Sequence, residues 1–220
     1  MAVLARAGAA EGLWLRAVRQ SAGRGRQGRP WIAPPGNLSA STLVRLGRQD
    51  PPASTLALVA AVALQEAAET FVGGVQIKWP NDLLIGGAKL SGILLERHGD
   101  AVVIGFGLNL AHHPDAVDRP TTSIAAITGS APDPDVFLAT LADSFGRWLY
   151  RWRAEGLAPI RTRWLEKAHP IGAALSARLP DGTSFDGLFD GLDQQGALRL
   201  RLADGSVHVI HAADIFLIRD

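Results

Sequence analysis

The chain has 220 residues, 47% of them hydrophobic and 20% charged, the balance of a globular protein with enough apolar material for a core. A net charge of +1 excludes an overall basic field for duplex nucleic acid, so any anion site must be local. The absence of cysteine removes disulfides, thiol catalysis and Cys-based zinc sites together. The longest apolar run, Leu56 to Leu64, falls well short of the ~18 residues of a membrane span. Met1 to Ala10, interrupted by Arg6, does not read as a signal peptide, so a soluble cytoplasmic protein is expected.

Leu13 to Arg19 alternates apolar and polar side chains and predicts a strand that runs into a Gly/Arg-rich segment, Gln20 to Trp31. Pro30, Pro34, Pro35 and Gly36 then forbid a helix, and Leu38 to Leu46 returns to a strand pattern. Pro51 to Thr70 predicts a helix with Ser54 as its N-cap, ending at Gly73-Gly74. It is apolar on nearly every side and therefore belongs against a sheet. Val75 to Trp79, Leu83 to Ile85, Gly92 to Arg97 and Val102 to Phe106 predict short strands, with turns at Gly86-Gly87 and His98-Gly99-Asp100. Val136 to Ala154 carries Phe137, Leu141, Phe145, Trp148, Leu149 and Trp152 at helical spacing, aromatic residues better suited to packing than to a ligand. A second helix follows over Pro159 to Ala168. From Pro170 short alternating runs are separated by Asp181-Gly182, Asp193 to Gly196 and Asp204-Gly205, the pattern of a small β-barrel appended to the main domain.

Within Gln20 to Trp31, three glycines and three arginines fall inside Gly23 to Arg29. Buried unpaired guanidinium groups are very costly and each glycine loses backbone entropy in a regular element, so the segment predicts a mobile loop rather than core, helix or strand. Its backbone N–H groups and cationic forks suit a carboxylate or phosphate; the alternative is a basic, RNA-like disordered segment. Gly23-x-Gly25-x-x-Gly28 matches the dinucleotide fingerprint in letters only, because Pro30 and Pro34-Pro35 block the helix that must begin there. The phosphate P-loop fails as well, since Arg29 and Pro30 stand where Lys and Ser/Thr are required.

A second cluster is Lys78-Trp79-Pro80-Asn81-Asp82, followed by Lys89 to Glu96. A hairpin turn at Gly86-Gly87 puts Asp82 and Lys89 on paired strands, although a solvated turn with an exposed ion pair has the same residues. A third is Gly105-Phe106-Gly107-Leu108-Asn109, where two glycines beside an Asn allow close backbone approach to a ligand; a simple bulge also explains it.

Taken in order and spacing, QSAGRGRQGRPW, KWPNDLL with KLSGILLE, and GFGLNL resemble the signature segments of bacterial biotin protein ligases. The likeness continues through Thr121 to Ile124, Arg161 to Trp164 and Asp190 to Leu202, and so spans nearly the whole chain. The resemblance implies an α+β fold, a mixed β-sheet flanked by helices of class II synthetase type (residues 1–169), with a small C-terminal SH3-like barrel (170–220). It implies formation of biotinyl-5′-AMP from biotin and MgATP, then transfer of biotin to a lysine of a biotin carboxyl carrier protein domain. By position, Gln20, Gly23, Arg24, Gly25, Arg26, Lys89 and Gly92 resemble biotin contacts. Arg26, Arg29, Trp31, Lys78, Asn81, Lys89 and Asn109 resemble ATP contacts, with Trp31 flanking the adenine. Arg26, Lys89 and Asp82 take the catalytic roles, Asp82 orienting or deprotonating the acceptor lysine and serving as a candidate ligand for Mg²⁺.

Family members carry a Ser-Thr-Asn motif just ahead of the segment that opens this chain, and many carry a winged-helix DNA-binding domain ahead of that. The expectation is therefore a monofunctional ligase without DNA or membrane partners, whose biotin site draws on the remaining residues. Homodimerisation through sheet edges occurs in the family. The alternatives are a lipoate- or octanoate-type ligase or transferase of the same superfamily, and a truncated ligase with impaired turnover.

Overall fold

Apolar residues at every second position build the central layer. The computed structural model describes residues 1–115 and 119–218. Six strands, β1 (Trp14–Arg16), β2 (Leu38–Arg45), β3 (Val75–Lys78), β4 (Asp82–Ile85), β5 (Ala88–His98) and β6 (Ala101–Leu108), pair in the order β1-β2-β6-β5-β4-β3. Each of these pairings is antiparallel. The tight turns at Gly86-Gly87 and Gly99, all at positive φ, join neighbours that can only run antiparallel. The sheet expected to be mixed is therefore antiparallel in its strands, and parallel contacts among the described residues are limited to the isolated bridges Ile77–Ala168 and Lys89–Thr121.

The two faces of the sheet differ. Leu38, Ala40, Ile77, Leu83, Ile93, Ile104, Phe106 and Leu108 join a core shared with α2 (Leu56–Glu69) and α4 (Pro134–Glu155). α2 is buried almost all round, as its apolar sequence requires, and α4 buries one stripe, Phe137, Leu141, Phe145, Trp148 and Trp152. Asp133 caps α4 by accepting from the Asp135 and Val136 amides. The expected Ser54 cap of α2 is not used. Pro52 leads into a single 3-10 turn, and Thr55 instead donates its hydroxyl to the Pro52 carbonyl and accepts from Trp152 Nε1 at 2.8 Å. Two short helices went unpredicted by pattern, α1 (Ala2–Arg6) and α3 (Ile124–Thr128). Ala5 of α1 packs on Leu43, Ala101 and Val103 at one end of the opposite sheet face.

After α5 (Ala158–Lys167) come β7 (Ala174–Arg178), β8 (Ser184–Leu192), β9 (Leu198–Arg201), β10 (Val207–Ile210) and β11 (Asp214–Leu217), in the order β10-β9-β8-β7-β11. The expected barrel is an open sheet among the described residues, with β10 and β11 as its two edges. A register shift between Phe189 and Leu192, with Gly191 at φ 91°, bends β8. Its apolar face continues the main core through Trp164 on Phe189, at a centroid separation of 6.4 Å, and Trp79 Nε1 donates to the Gly196 carbonyl at 3.2 Å.

His169 lies buried where α5 leads toward β7, and its Nε2 has no partner among the described residues. Burial, reinforced by the charge of Lys78, pushes its pKa down from 6.5 to about 4. Between those values the unfolded chain binds the proton that the folded chain refuses, so stability falls as pH drops through this window and is unaffected above it. The loss attributable to this ring reaches roughly 3 kcal/mol. Urea titrations of the wild type and His169→Gln from pH 7 to 4 should therefore diverge in midpoint, the wild type losing more; parallel curves would refute the assignment.

Candidate active site

Strand register assembles the site. Lys78 lies opposite Asp82, Asp82 opposite Gly92, Gly92 opposite Gly107, and Gly107 opposite Ser39. Because side chains directly across from one another share a face, these five residues form one row across β3, β4, β5, β6 and β2. Their sequence neighbours Ile77, Leu83, Ile93, Phe106 and Leu38 point into the helical core, so the row lies on the face away from α2 and α4. It presents an ammonium, a carboxylate, two positions without a side chain, and a hydroxyl.

Lys89 reaches this row only through a bulge. Leu83 pairs with Ser91 but Leu84 pairs with Lys89, which leaves Leu90 as the extra residue. Simple alternation from Ser91 and Ile93 would turn Lys89 into the core; the added residue reverses its side. The segment after residue 119 locks the bulge, as Lys89 N donates to the Pro120 carbonyl at 2.8 Å and Thr122 N to the Lys89 carbonyl at 2.9 Å. Lys89 Nζ then donates to Asp82 Oδ1 at 2.6 Å. Lys78 Nζ stands 3.5 Å from Asp82 Oδ2 and donates to the Ile215 carbonyl at 3.0 Å. Burial pulls the pKa of Lys78 below the usual lysine range, against the pull of Asp82 and with the help of Arg119 and Lys89.

The Gly/Arg segment covers the row as a small folded-back hairpin rather than an unstructured loop. Gly25 N donates to the Arg29 carbonyl at 2.7 Å and Trp31 N to the Gly23 carbonyl at 2.9 Å, around a tight turn over Arg26–Gly28 with Gln27 at φ 56°. Gly23 is required by contact, since a Cβ there would collide with the Trp31 carbonyl. The Trp31 indole lies directly on Gly107, where a Cβ would sit 2.5 Å from Nε1 and 2.6 Å from Cζ2. Lys89 Nζ is 5.9 Å from the indole centroid.

The C-terminal sheet supplies the remaining wall. Arg29 pairs with Asp214 at 2.5 Å, and Arg26 Nη1 reaches Asn81 Oδ1 at 3.5 Å and the Ala213 carbonyl at 3.4 Å. Burial opposes ionisation of Asp214, but the Arg29 hydrogen bond and the charges of Arg29, Arg119 and Arg26 hold its carboxyl below the usual range. Arg119 stacks over the Phe216 ring at 4.3 Å. Between the sheets a cavity of about 320 Å³ is lined by Lys78, Lys89, Arg119, Leu84, Gly87, Pro120 and Ile215 to Leu217. Three cations facing one cavity suit a polyanion.

Of the residues singled out in the sequence, the structure gathers Arg26, Trp31, Lys78, Asn81, Asp82, Lys89 and Gly92 around the row. Asn109 is buried two residues beyond Gly107. It donates to the Thr122 carbonyl at 3.0 Å, while its Oδ1 has no partner among the described residues. Gln20 and Arg24 are exposed, Gly25 spends its N–H within the hairpin, and Arg29 faces Asp214. Sequence reading missed Arg119, Asp214 and Ser39. Arg119 lines the cavity with Lys78 and Lys89 from the segment that locks the bulge, Asp214 meets it only because the second sheet docks there, and Ser39 had no motif around it.

The sequence profile of the biotin/lipoate A/B protein ligase family matches residues 8–109, and that of the biotin protein ligase C-terminal domain matches residues 172–218. A biotin–[acetyl-CoA-carboxylase] ligase of Paracoccus denitrificans is 42% identical over 92% of this chain and 89% of its own length. A bifunctional ligase/repressor of Bacillus subtilis is 34% identical over 97% of this chain and 69% of its own. The structure of the Aquifex aeolicus biotin protein ligase in complex with biotin and ATP superposes with a TM-score of 0.85 at 25% identity, covering 96% of this chain and 90% of that one. On matched profiles at both ends, relatives aligned over nearly its full length and a shared fold, the chain belongs to the biotin protein ligase family.

Proposed function

We propose that the chain is an ATP-dependent biotin protein ligase acting on a biotin carboxyl carrier protein, residues 1–169 forming the catalytic unit and 170–220 the C-terminal one. The observation that carries this reading is the row Lys78–Asp82–Gly92–Gly107 with Lys89 turned onto it: cations at one end, a glycine floor beyond, and the Gly/Arg hairpin above with Trp31 resting on that floor. A biotin carboxylate oxygen attacks the α-phosphorus of ATP, and the bond to the β-phosphate breaks with its electron pair leaving on pyrophosphate. Both reactants are anions, so neutralisation and alignment dominate the barrier. Lys89 trades its Asp82 oxygen for the carboxylate and the reacting phosphate, with Arg26 beside it. Lys78, Arg119 and Arg29 bind the phosphates departing toward the cavity, while Asn109 and Trp31 hold the nucleoside. In the second step the acceptor lysine nitrogen attacks the acyl carbon and AMP leaves, Asp82 orienting the amine and taking its proton. Gln20, Gly23, Arg24 and Gly25 close on biotin when the hairpin shifts.

The Asp82 carboxylate fits a magnesium ion poorly, because both oxygens face ammonium groups and no cluster of three His, Asp or Glu stands nearby among the described residues. Magnesium accordingly enters on the triphosphate as part of the substrate. No helix among the described residues is long and apolar enough to cross a membrane, and the proposed site of action is the cytoplasm.

Exchange of labelled pyrophosphate into ATP tests the reading. Biotin should stimulate it strongly and lipoate little. Stimulation by lipoate alone would move the chain to the lipoate branch, and no acid-dependent exchange would overturn a ligase function.

A further inference from the structure

The row of the active site does not end at the glycines. Ser39, opposite Gly107, projects from the same sheet face, is only 4% exposed, and its Oγ has no hydrogen-bond partner among the described residues. A buried hydroxyl left unpaired is destabilising by itself, so its presence beside Gly107 in this row points to a partner that arrives with the ligand. The indole Nε1 of Trp31, lying over Gly107, is likewise buried and unpaired. Two unused polar groups therefore stand at Gly107, one lying over it and one on the strand beside it.

Distance along the row decides what reaches Ser39. Lys89 Nζ stands over Gly92, 3.4 Å from where a Cβ would be. From Gly92 to Ser39 is two strand spacings, about 10 Å. The Trp31 indole rests on Gly107 and against Gly92, so an acid held by its carboxylate at Lys89 lays its aliphatic arm across the two glycines when the hairpin shifts and lifts the indole, and whatever terminates the arm arrives at Ser39. Biotin terminates in a fused ring whose ureido group carries N–H donors and a carbonyl acceptor, whereas lipoate and octanoate end in groups without a hydrogen-bonding donor.

We propose that Ser39 is a specificity-determining residue: its hydroxyl hydrogen-bonds the polar ring head of biotin, a bond that acids with an apolar far end cannot make. An apolar head leaves the hydroxyl unpaired as it is in the free protein, so the discrimination is the hydrogen bond gained only with biotin. This inference rests on the biotin ligase reading.

The test is the kinetics of Ser39→Ala, with Ser39→Thr as the conservative partner, in the pyrophosphate exchange assay with biotin, desthiobiotin (which keeps the ureido group) and octanoate. Ser39→Ala should raise KM for biotin and for desthiobiotin about tenfold while KM for ATP and the thermal midpoint stay put. Octanoate should be used no worse than by the wild type, and Ser39→Thr should restore most of the biotin affinity. An unchanged KM for biotin, or an equal loss for biotin and octanoate, overturns the inference while leaving the ligase reading intact. Absence of biotin-dependent exchange in the wild type overturns both.

Discussion

Lys89→Met is expected to lower biotin-dependent pyrophosphate exchange by roughly a thousandfold while leaving the protein folded. Removing one preorganised donor to a developing anion commonly lowers the rate by ~10² to 10³, and Lys89 has a second task in aligning two anions. The side chain is 27% exposed and its partner Asp82 keeps Lys78 at 3.5 Å, so the carboxylate is not left alone in the interior. Its backbone position is set by the Leu90 bulge and the Pro120 and Thr122 hydrogen bonds, none of which involves the amine. The expected loss of stability is therefore small, about 1 kcal/mol. Single-turnover adenylate formation and the thermal midpoint check both halves. Retention of a tenth or more of the exchange rate would remove Lys89 from the chemical step.

Arg26→Gly is expected to separate adenylate formation from its containment. Arg26 is half-buried and ties the hairpin to two other parts of the chain, Asn81 at the β3–β4 turn and Ala213 just before β11. No other residue of the hairpin makes this bridge to both sheets among the described contacts; Arg29 reaches only the C-terminal side, through Asp214. Two hydrogen bonds at about 1 kcal/mol each correspond to a roughly thirtyfold faster escape of the intermediate. Released biotinyl-5′-AMP acylates accessible lysines, so the variant should label a bystander protein such as serum albumin, which the wild type leaves untouched. Normal adenylate formation with labelling confined to the carrier domain would show that the hairpin is not held shut by Arg26.

Several features of the chain follow from residue order alone. α2 and α4 were legible because a helix imposes its period on every residue it buries, and Trp148 and Trp152 are core as that period requires. The hairpin turns at Gly86-Gly87 and Gly99 were legible because positive φ at a tight turn has few sequence solutions. The polar clusters around Arg26, Asp82, Lys89 and Asn109 were legible only together, since each alone has an ordinary structural explanation and their order and spacing do not. The residues by themselves pointed to an anion site, and the resemblance of the ordered motifs named the anions. What the tertiary structure alone decided is which side of the sheet each group faces and what lies beside it. A single unpaired residue, Leu90, turns Lys89 from the helical core to the site, and nothing local in Lys89-Leu90-Ser91 announces it. Ser39 and Gly107 meet through pairing between strands distant in sequence, and Arg119 and Asp214 meet through docking of the second sheet. The first two share one physical reason. Side-chain direction in a strand inverts with every one-residue change of register, and register is set by cross-strand pairing rather than by neighbours along the chain.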